Sequence, residues 1–500
     1  MVSDNPFSSM IGGVASFLGG GGGKEMNAEK VDTAFDKSAF ANKKTWEEIK
    51  DQLSQVSTPE ERAFRQDVEK GYGIDGSPLH KIRLYDESNK EEDIAVTFYR
   101  DSASWCPYCQ KIWIALEYLQ IPYKVEKINM RCYGEKPSSF LRIQPGGQIP
   151  VAVINGKVYG QSNDILQALE ALPQKKKTLK PPANLDSQAE QLYRLERQLF
   201  SVWMGWLTRG GGGGQFINTL ESVESVLQDA KGPFFLGKDL TLVDIQFSSF
   251  LERMVASLLF YKGFVIRVPE NERGNAKYPA INEWFDAMEK IPAYTLTKSD
   301  YYTHAWDLPP QLGGCVPEQD GKRFEDAING LRSLDGTQGS WELPLQPDNG
   351  GVEPDWSFIP GGESAARREA VERMSSNHEA IVKFACRGAG RKGFPSYSAP
   401  LSDPNAVPND ALQRSVDECF RTICTALIAE NTNTHDADMK SIANVIVSEG
   451  GKEFAGGVIN SLAYMRDRVG VPRDMRLPAA RQLRARLNWA IGIILEVSEN

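Results

Sequence analysis

The feature that most constrains this chain is Trp105-Cys106-Pro107-Tyr108-Cys109, set where a β-branched and aromatic run (94–99) ends and a helical pattern (107–119) begins. A thiol at that junction has a physical use. Free backbone N–H groups and the positive end of the helix dipole favour an anion there, so the thiolate of Cys106 is favoured, and the thiolate is the nucleophile. Pro107 suits the first helical position, where its missing N–H has no partner to lose. Cys109, one turn on, is placed to resolve a mixed disulfide. Two other readings stay open. One is half of a zinc site, for which the other cysteines offer only Cys419 and Cys424, five apart, with no His close to either pair in sequence. The other is an inert buried pair.

The segments around this motif restrict the fold further. After the strand and helix, 123–128 alternates as a second strand. Val151 to Ile154 and Lys157 to Tyr159 then read as a hairpin around Asn155-Gly156, and 162–172 is helical. That is β-α-β followed by β-β-α. Gly146-Gly147-Gln148-Ile149-Pro150 precedes the third strand. Pro150 opens it, a position at which a cis bond would turn the Ile149 backbone N–H and C=O outward, free to pair with an extended peptide. Ser162, in Gly160-Gln161-Ser162-Asn163, opens the last helix, where a hydroxyl and N–H donors suit a carboxylate; a plain cap serine is the bland alternative.

With these residues in view, 94 to about 300 resembles a cytosolic glutathione transferase of the Cys type (omega, lambda, dehydroascorbate reductase), and Cys106-Pro-Tyr-Cys109 resembles the glutaredoxin motif. The resemblance implies an α+β fold: a thioredoxin-like domain at 91–173, a Lys/Pro linker at 174–184 and an all-α domain at 185–310. It implies glutathione as co-substrate and no metal. It makes Cys106 and Cys109 the catalytic pair, with Tyr108, Lys136, Ile149, Pro150, Gln161 and Ser162 at the glutathione site. Ile149 would pair with the cysteinyl unit, Ser162 would hold the γ-glutamyl carboxylate and Lys136 would reach glutathione. Thr241 and Asp244 match the family's capping box, a folding element. In two places the chain departs from the pattern. Gln161 stands where the family usually has Glu, losing a charge, and Cys109 is kept where Cys-type members often replace it, which tilts the chemistry from conjugation toward disulfide exchange. A second substrate would lie between the two halves, with Arg194, Trp203, Trp206, Phe250 and Tyr261 as candidates that core packing equally explains.

The rest of the chain carries no such signature. Residues 1–40, with Gly19 to Gly23 in a row, are expected to be disordered. A helical extension over 41–90 opens with capping patterns at Thr45-Glu48 and Thr58-Glu61, and is expected to pack on the domain that follows it. An irregular linker is expected at 311–363 and a separate helical domain at 364–500, with helices at 364–387, 409–430, 436–448, 452–468 and near 479–497. Seven arginines between Arg466 and Arg486 read as a solvated face, because Leu483, Leu487, Ile491 and Ile494 supply the apolar stripe.

Composition narrows the function. Lys+Arg number 57 against 66 Asp+Glu, a net charge of −9, which argues against a general nucleic-acid binder. No run of 18 apolar residues is present to span a bilayer. Seven scattered cysteines suggest a reducing compartment, cytoplasmic by default, with organellar import left open. The leading expectation is a glutathione-dependent transferase or thiol–disulfide oxidoreductase acting on a small electrophilic or disulfide substrate, in a chain that can form a homodimer. The competing expectation is a non-catalytic transferase fold, acting as a scaffold through its C-terminal helices.

Overall fold

The computed structural model describes residues 44–73, 75–86, 88–346, 352–353, 361–397, 403–429 and 435–499. The stretch expected to be disordered, 1–40, lies outside the described residues.

Five strands form one mixed sheet: β1 (Ile82–Arg83), β2 (Val96–Asp101), β3 (Tyr123–Ile128), β4 (Val151–Ile154) and β5 (Lys157–Tyr159), in the order β1-β3-β2-β4-β5. β2 and β3 are parallel, because the helix between them, Pro107–Leu119, carries the chain back across the sheet; the remaining pairs are antiparallel. β2 starts and ends two residues later than its apolar run implies. Ile94 closes a short 3-10 turn on Glu91, while Arg100 and Asp101 stay in register with Lys127 and Ile128. Ser162–Glu170 packs beside Pro107–Leu119 and completes a thioredoxin-like domain.

The all-α domain follows as Asp186–Arg209, Gly213–Asp229, Leu242–Lys262, Pro279–Met288, Pro292–Thr295 and Tyr301–Leu312. Leu242–Lys262 is apolar nearly all round, and such a helix belongs in a core; almost every one of its residues is buried. Its start is fixed by Asp244. One carboxylate oxygen accepts the Thr241 N–H and hydroxyl at 2.9 Å each, and the other accepts Phe235 N–H at 3.1 Å and Trp284 Nε1–H at 3.0 Å. The two domains share one apolar core.

Among its described residues, the stretch expected to be an irregular linker is packed. It contains the helix Lys322–Ile328, and Phe324, Ile328 and Trp341 are buried in the shared core. Trp341 lies against Gly330 (φ 79°), where any Cβ would meet the indole at 2.3 Å.

The C-terminal helices are Gly362–Ser376, His378–Ala385, Gln413–Ala429, Asp436–Arg466 and Leu477–Glu499. The helix expected over 364–387 is broken at Asn377, which leaves helical φ/ψ. The pair expected on either side of residue 450 meets at Gly451, whose φ of 71° and ψ of 179° break the helix. These helices have their own core, and Trp46, Ile49 and Leu53 of the extension helix Trp46–Val56 belong to it. The first two helices of the extension therefore pack on the C-terminal domain, while its last residues do join the domain that follows, with Ile82–Arg83 as strand β1 and Arg83 paired with Glu117 at 3.2 Å. An amphipathic face requires a partner but does not name one. Ion pairs of Arg65 with Glu372 (2.6 Å) and of Arg368 with Glu61 (2.8 Å) fix the extension's second helix, Pro59–Lys70, on the same domain.

The arginines of 466–486 are not a solvated face either. Arg484 and Asp300 form an ion pair at 2.7 Å, each only 1% exposed, and Arg484 also donates to the Val469 carbonyl at 2.8 Å. Arg486 is buried as well. The Arg484 head serves the contact with the all-α domain, where Tyr302 donates to the Asp467 carbonyl at 3.1 Å and Ser299 Oγ donates to that of Val471, while Arg486 donates to Gln482 on its own helix at 2.7 Å.

Candidate functional site

Cys106 is the N-cap of helix Pro107–Leu119 and is 7% exposed; Cys109 is 2% exposed. The chain reaches this position through a tight turn in which Ser104 takes φ 56°, a left-handed conformation that costs a non-glycine residue about 1–3 kcal/mol. Arg100 holds the turn, donating to Ser104 Oγ at 2.8 Å and to the Asp101 carbonyl at 2.9 Å. The N–H groups expected to be free at the helix start are partly used. Asp101 Oδ2 accepts those of Trp105 (2.5 Å) and Cys106 (3.0 Å).

Burial pushes the Cys109 thiol far above its ordinary pKa, helped by a hydrogen bond to the Cys106 sulfur and by the charges of Cys106 and Asp101. Cys109 is thus held protonated. Lys136 is half-buried, with its ammonium on the Asn129 carbonyl. Burial lowers its pKa, against the attraction of Cys109, Cys106, Cys132 and Asp101. The structure therefore brings Cys106, Cys109, Lys136 and Asp101 into one electrostatic neighbourhood.

The other sequence candidates frame it. The Ile149–Pro150 bond is cis and immediately precedes β4, whose Val151 pairs with Tyr99 two residues before Asp101. Ser162 is the first residue of its helix, and Gln161 is the exposed N-cap, making no side-chain capping bond. Neither caps the helix in the ordinary way. A chain of hydrogen bonds links that helix start to the cysteine helix: Gln246 Nε2 donates to Asn163 Oδ1 at 2.8 Å, and Lys111 Nζ donates to Gln246 Oε1 at 2.7 Å. Burial brings the Lys111 pKa down to about 7, opposed by Glu196.

Tyr108, 36% exposed, stands edge-on to Phe250 at 5.4 Å, and Phe250 to Phe200 at 4.8 Å. Lys111 Nζ lies 4.4 Å above the Phe250 ring, and Arg197 lies over both phenylalanines. A recess of about 290 Å³, lined by Phe200, Ser201, Met204, Gly205, Thr208 and Arg209, adjoins this cluster. Of the other candidates for a second substrate, Trp203 and Tyr261 are core residues with internal partners, Ser257 Oγ at 3.0 Å and the Ala305 carbonyl at 2.7 Å. Trp206 is buried and bound to Glu318, while Arg194 is exposed.

Sequence reasoning missed Asp101, Gln110, Glu252, Arg253 and His304, all buried beside the cysteine motif. For two of them a signal was present: Glu252 and Arg253 are adjacent ionisable residues inside a helix with no polar face, an expensive placement unless both are satisfied. His304 left no local signal.

The glutathione S-transferase N-terminal domain family matches residues 105–172, and the glutathione S-transferase C-terminal domain family matches 195–287. Among curated relatives, the Arabidopsis thaliana protein named glutathione S-transferase DHAR2 is 29% identical over 170 residues, 33% of this chain and 74% of that protein. Glutathione S-transferase L1 of the same plant is 26% identical over 201 residues, 39% of this chain and 79% of its own length. Among solved structures, glutathione transferase Omega 3C from Trametes versicolor is 24% identical, with a TM-score of 0.35 over 41% of this chain and 90% of that one. The fold is that of a thioredoxin-like domain joined to an all-α partner, followed by additional helices. Over these residues the chain matches both domains of the glutathione S-transferase families, and it is similar there to plant relatives named for DHAR and for glutathione S-transferase L.

Proposed function

We propose that this chain is a glutathione-dependent transferase or thiol–disulfide oxidoreductase with Cys106 as its nucleophile. One observation carries the reading. Cys106 is the N-cap residue of a helix, and Cys109 sits one turn on as a thiol that burial keeps protonated. A thiolate so placed is stabilised by a neutral donor and by the helix terminus.

In the reaction, the Cys106 thiolate attacks the glutathione sulfur of a mixed disulfide. The substrate thiolate leaves and takes a proton, and a Cys106–glutathione disulfide remains. A second glutathione thiolate attacks the glutathionyl sulfur, which releases glutathione disulfide and restores Cys106. Alternatively, Cys109 loses its proton and closes on Cys106, releasing glutathione. Ile149 beside Pro150, Gln161, Ser162 and Lys136 are the proposed glutathione contacts, and Tyr108 the wall shared with the second substrate. The aromatic cluster of Tyr108, Phe250 and Phe200, which joins the cysteine helix to two helices of the all-α domain, supports a second substrate between the two halves.

The test is turnover of 2-hydroxyethyl disulfide and of dehydroascorbate with glutathione, in wild type, Cys106→Ser and Cys109→Ser. The expected outcome is loss of more than a hundredfold in Cys106→Ser and retention of the glutathione-resolved route in Cys109→Ser. Equal activity of wild type and Cys106→Ser would sink the reading.

A further inference from the structure

Trp105 precedes the cysteine pair and Gln110 follows it, and both are tied to the same place on helix Leu242–Lys262. Gln110 Nε2 donates to Glu252 Oε2 at 3.0 Å, and Arg253 Nη1 donates to Gln110 Oε1 at 2.7 Å. Arg253 Nη2 donates to the Trp105 carbonyl. The circuit is closed by His304. Its Nδ1 accepts the Trp105 indole N–H at 3.0 Å, and its Nε2 meets Glu252 Oε1 at 2.8 Å. All five residues are buried, and His304 is 0% exposed. The tautomer follows from the partners. A nitrogen that receives the indole N–H has no proton of its own, so Nε2 carries the proton and gives it to the carboxylate. Burial and the neighbouring Arg253 hold the His304 pKa below its usual value, consistent with a neutral ring.

Trp105 is thus held at each of its polar groups by a different element. Asp101 from β2 takes its N–H, Arg253 takes its carbonyl and His304 from helix Tyr301–Leu312 takes its indole. The residue so gripped sets the backbone path into Cys106, whose sulfur must sit at the helix end to be useful. Of the three hydrogen bonds, only that with His304 is made by the side chain, over whose ring the Arg253 guanidinium also lies at 4.9 Å.

We propose that His304 is a positioning residue for the Cys106 thiolate, acting through the indole of Trp105. This rests on the reading of Cys106 as the reactive thiol. His304 touches neither sulfur nor substrate. Its effect is to fix the rotamer of Trp105, and with it the cap geometry on which nucleophilicity depends.

The experiment measures the iodoacetamide alkylation rate of Cys106, assigned by peptide mass spectrometry, from pH 5 to 10 in the full-length protein. Steady-state kcat and KM for glutathione are measured in parallel. The variants are His304→Phe, His304→Gln, Trp105→Phe and the double Trp105→Phe/His304→Phe. Gln can accept from the indole and donate to Glu252, so it should restore the wild-type pH profile. His304→Phe and Trp105→Phe should each slow Cys106 about tenfold, the scale of one hydrogen bond. The double variant should be no slower than either single one, because both remove the same contact. kcat should fall while KM for glutathione stays within twofold.

A folded His304→Phe with the wild-type rate would overturn the proposal. So would a His304→Gln as slow as His304→Phe, or single losses that multiply in the double variant. If His304→Phe does not fold, Trp105→Phe interrogates the same bond from its other end, and a wild-type rate there overturns the proposal equally. A wild-type Cys106 that alkylates no faster than a free thiol and is not protected by glutathione would remove the underlying reading, and the proposal with it. A reactive, glutathione-protected wild type with unaffected variants would remove the proposal alone.

Discussion

At the scale of single residues the site is a set of opposed charges in little water. Asp101 faces the cysteine pair with a buried carboxylate, while Lys136, Lys111 and Arg253 set cations around it. Lys111 makes this measurable. Its folded-state pKa lies near 7, against an ordinary value of 10.5. Between those values the unfolded chain holds a proton that the folded chain does not, so stability rises with pH across the window and the contribution is lost as pH falls through 7. Lys111→Met should therefore flatten the pH dependence between pH 7 and 10 and raise stability at pH 7, by an amount of order a few kcal/mol. Urea midpoints at several pH values check this, and a slope identical to wild type would refute it. The placement of Cys106 and Cys109 was legible in the sequence because a four-residue spacing at a strand–helix junction fixes it. Asp101 was not, because its role depends on the left-handed turn at Ser104 that swings the next two N–H groups back onto it.

At the scale of elements, local pattern was a good guide to where helices and strands form and a poor one to what they touch. The cysteine helix, β3 and the β4–β5 hairpin were legible to the residue, because each has its own periodicity and its own stop signal. Asp244 shows how much one capping residue can organise. It satisfies donors from its own helix start, from the preceding loop and from Trp284 on another helix, all in a fully buried place. Asp244→Ala leaves four donors without their acceptor and should cost about 3–5 kcal/mol, read as a lowered denaturant midpoint at constant slope. Asp244→Asn, which keeps an acceptor oxygen, should lose less. The Gly451 break was visible as Gly450-Gly451. That the extension's first helix belongs to the C-terminal core was not, since nothing in Trp46, Ile49 and Leu53 encodes which apolar surface will receive them.

At the scale of the whole molecule, the C-terminal domain is bound to the candidate site through one helix. Asp300 caps Tyr301–Leu312, accepting the Thr303 N–H at 3.1 Å, and pairs with Arg484 in a buried contact; four residues further on, the same helix presents His304 to Trp105. Removing one partner of a buried ion pair costs about 3–5 kcal/mol, because the other charge is stranded. Arg484→Met should therefore lower the thermal midpoint by several degrees and also slow Cys106 alkylation, although residue 484 lies outside the matched transferase domains. A destabilised variant with an unchanged Cys106 rate would show the two regions to be independent. The arginine-rich stretch could not be read correctly from sequence, since an arginine on a helix looks the same whether water or a carboxylate from a distant segment awaits it.

The extension has a consequence for the order in which this protein is made. Trp46 emerges from the ribosome early, yet the surface that buries it is supplied by residues 370–494. At roughly 5–20 residues per second, that surface arrives on the order of tens of seconds later. Throughout that interval the transferase domains can assemble while Trp46, Ile49 and Leu53 remain an uncovered apolar face. On a nascent chain, such a face is what a holdase chaperone would recognise.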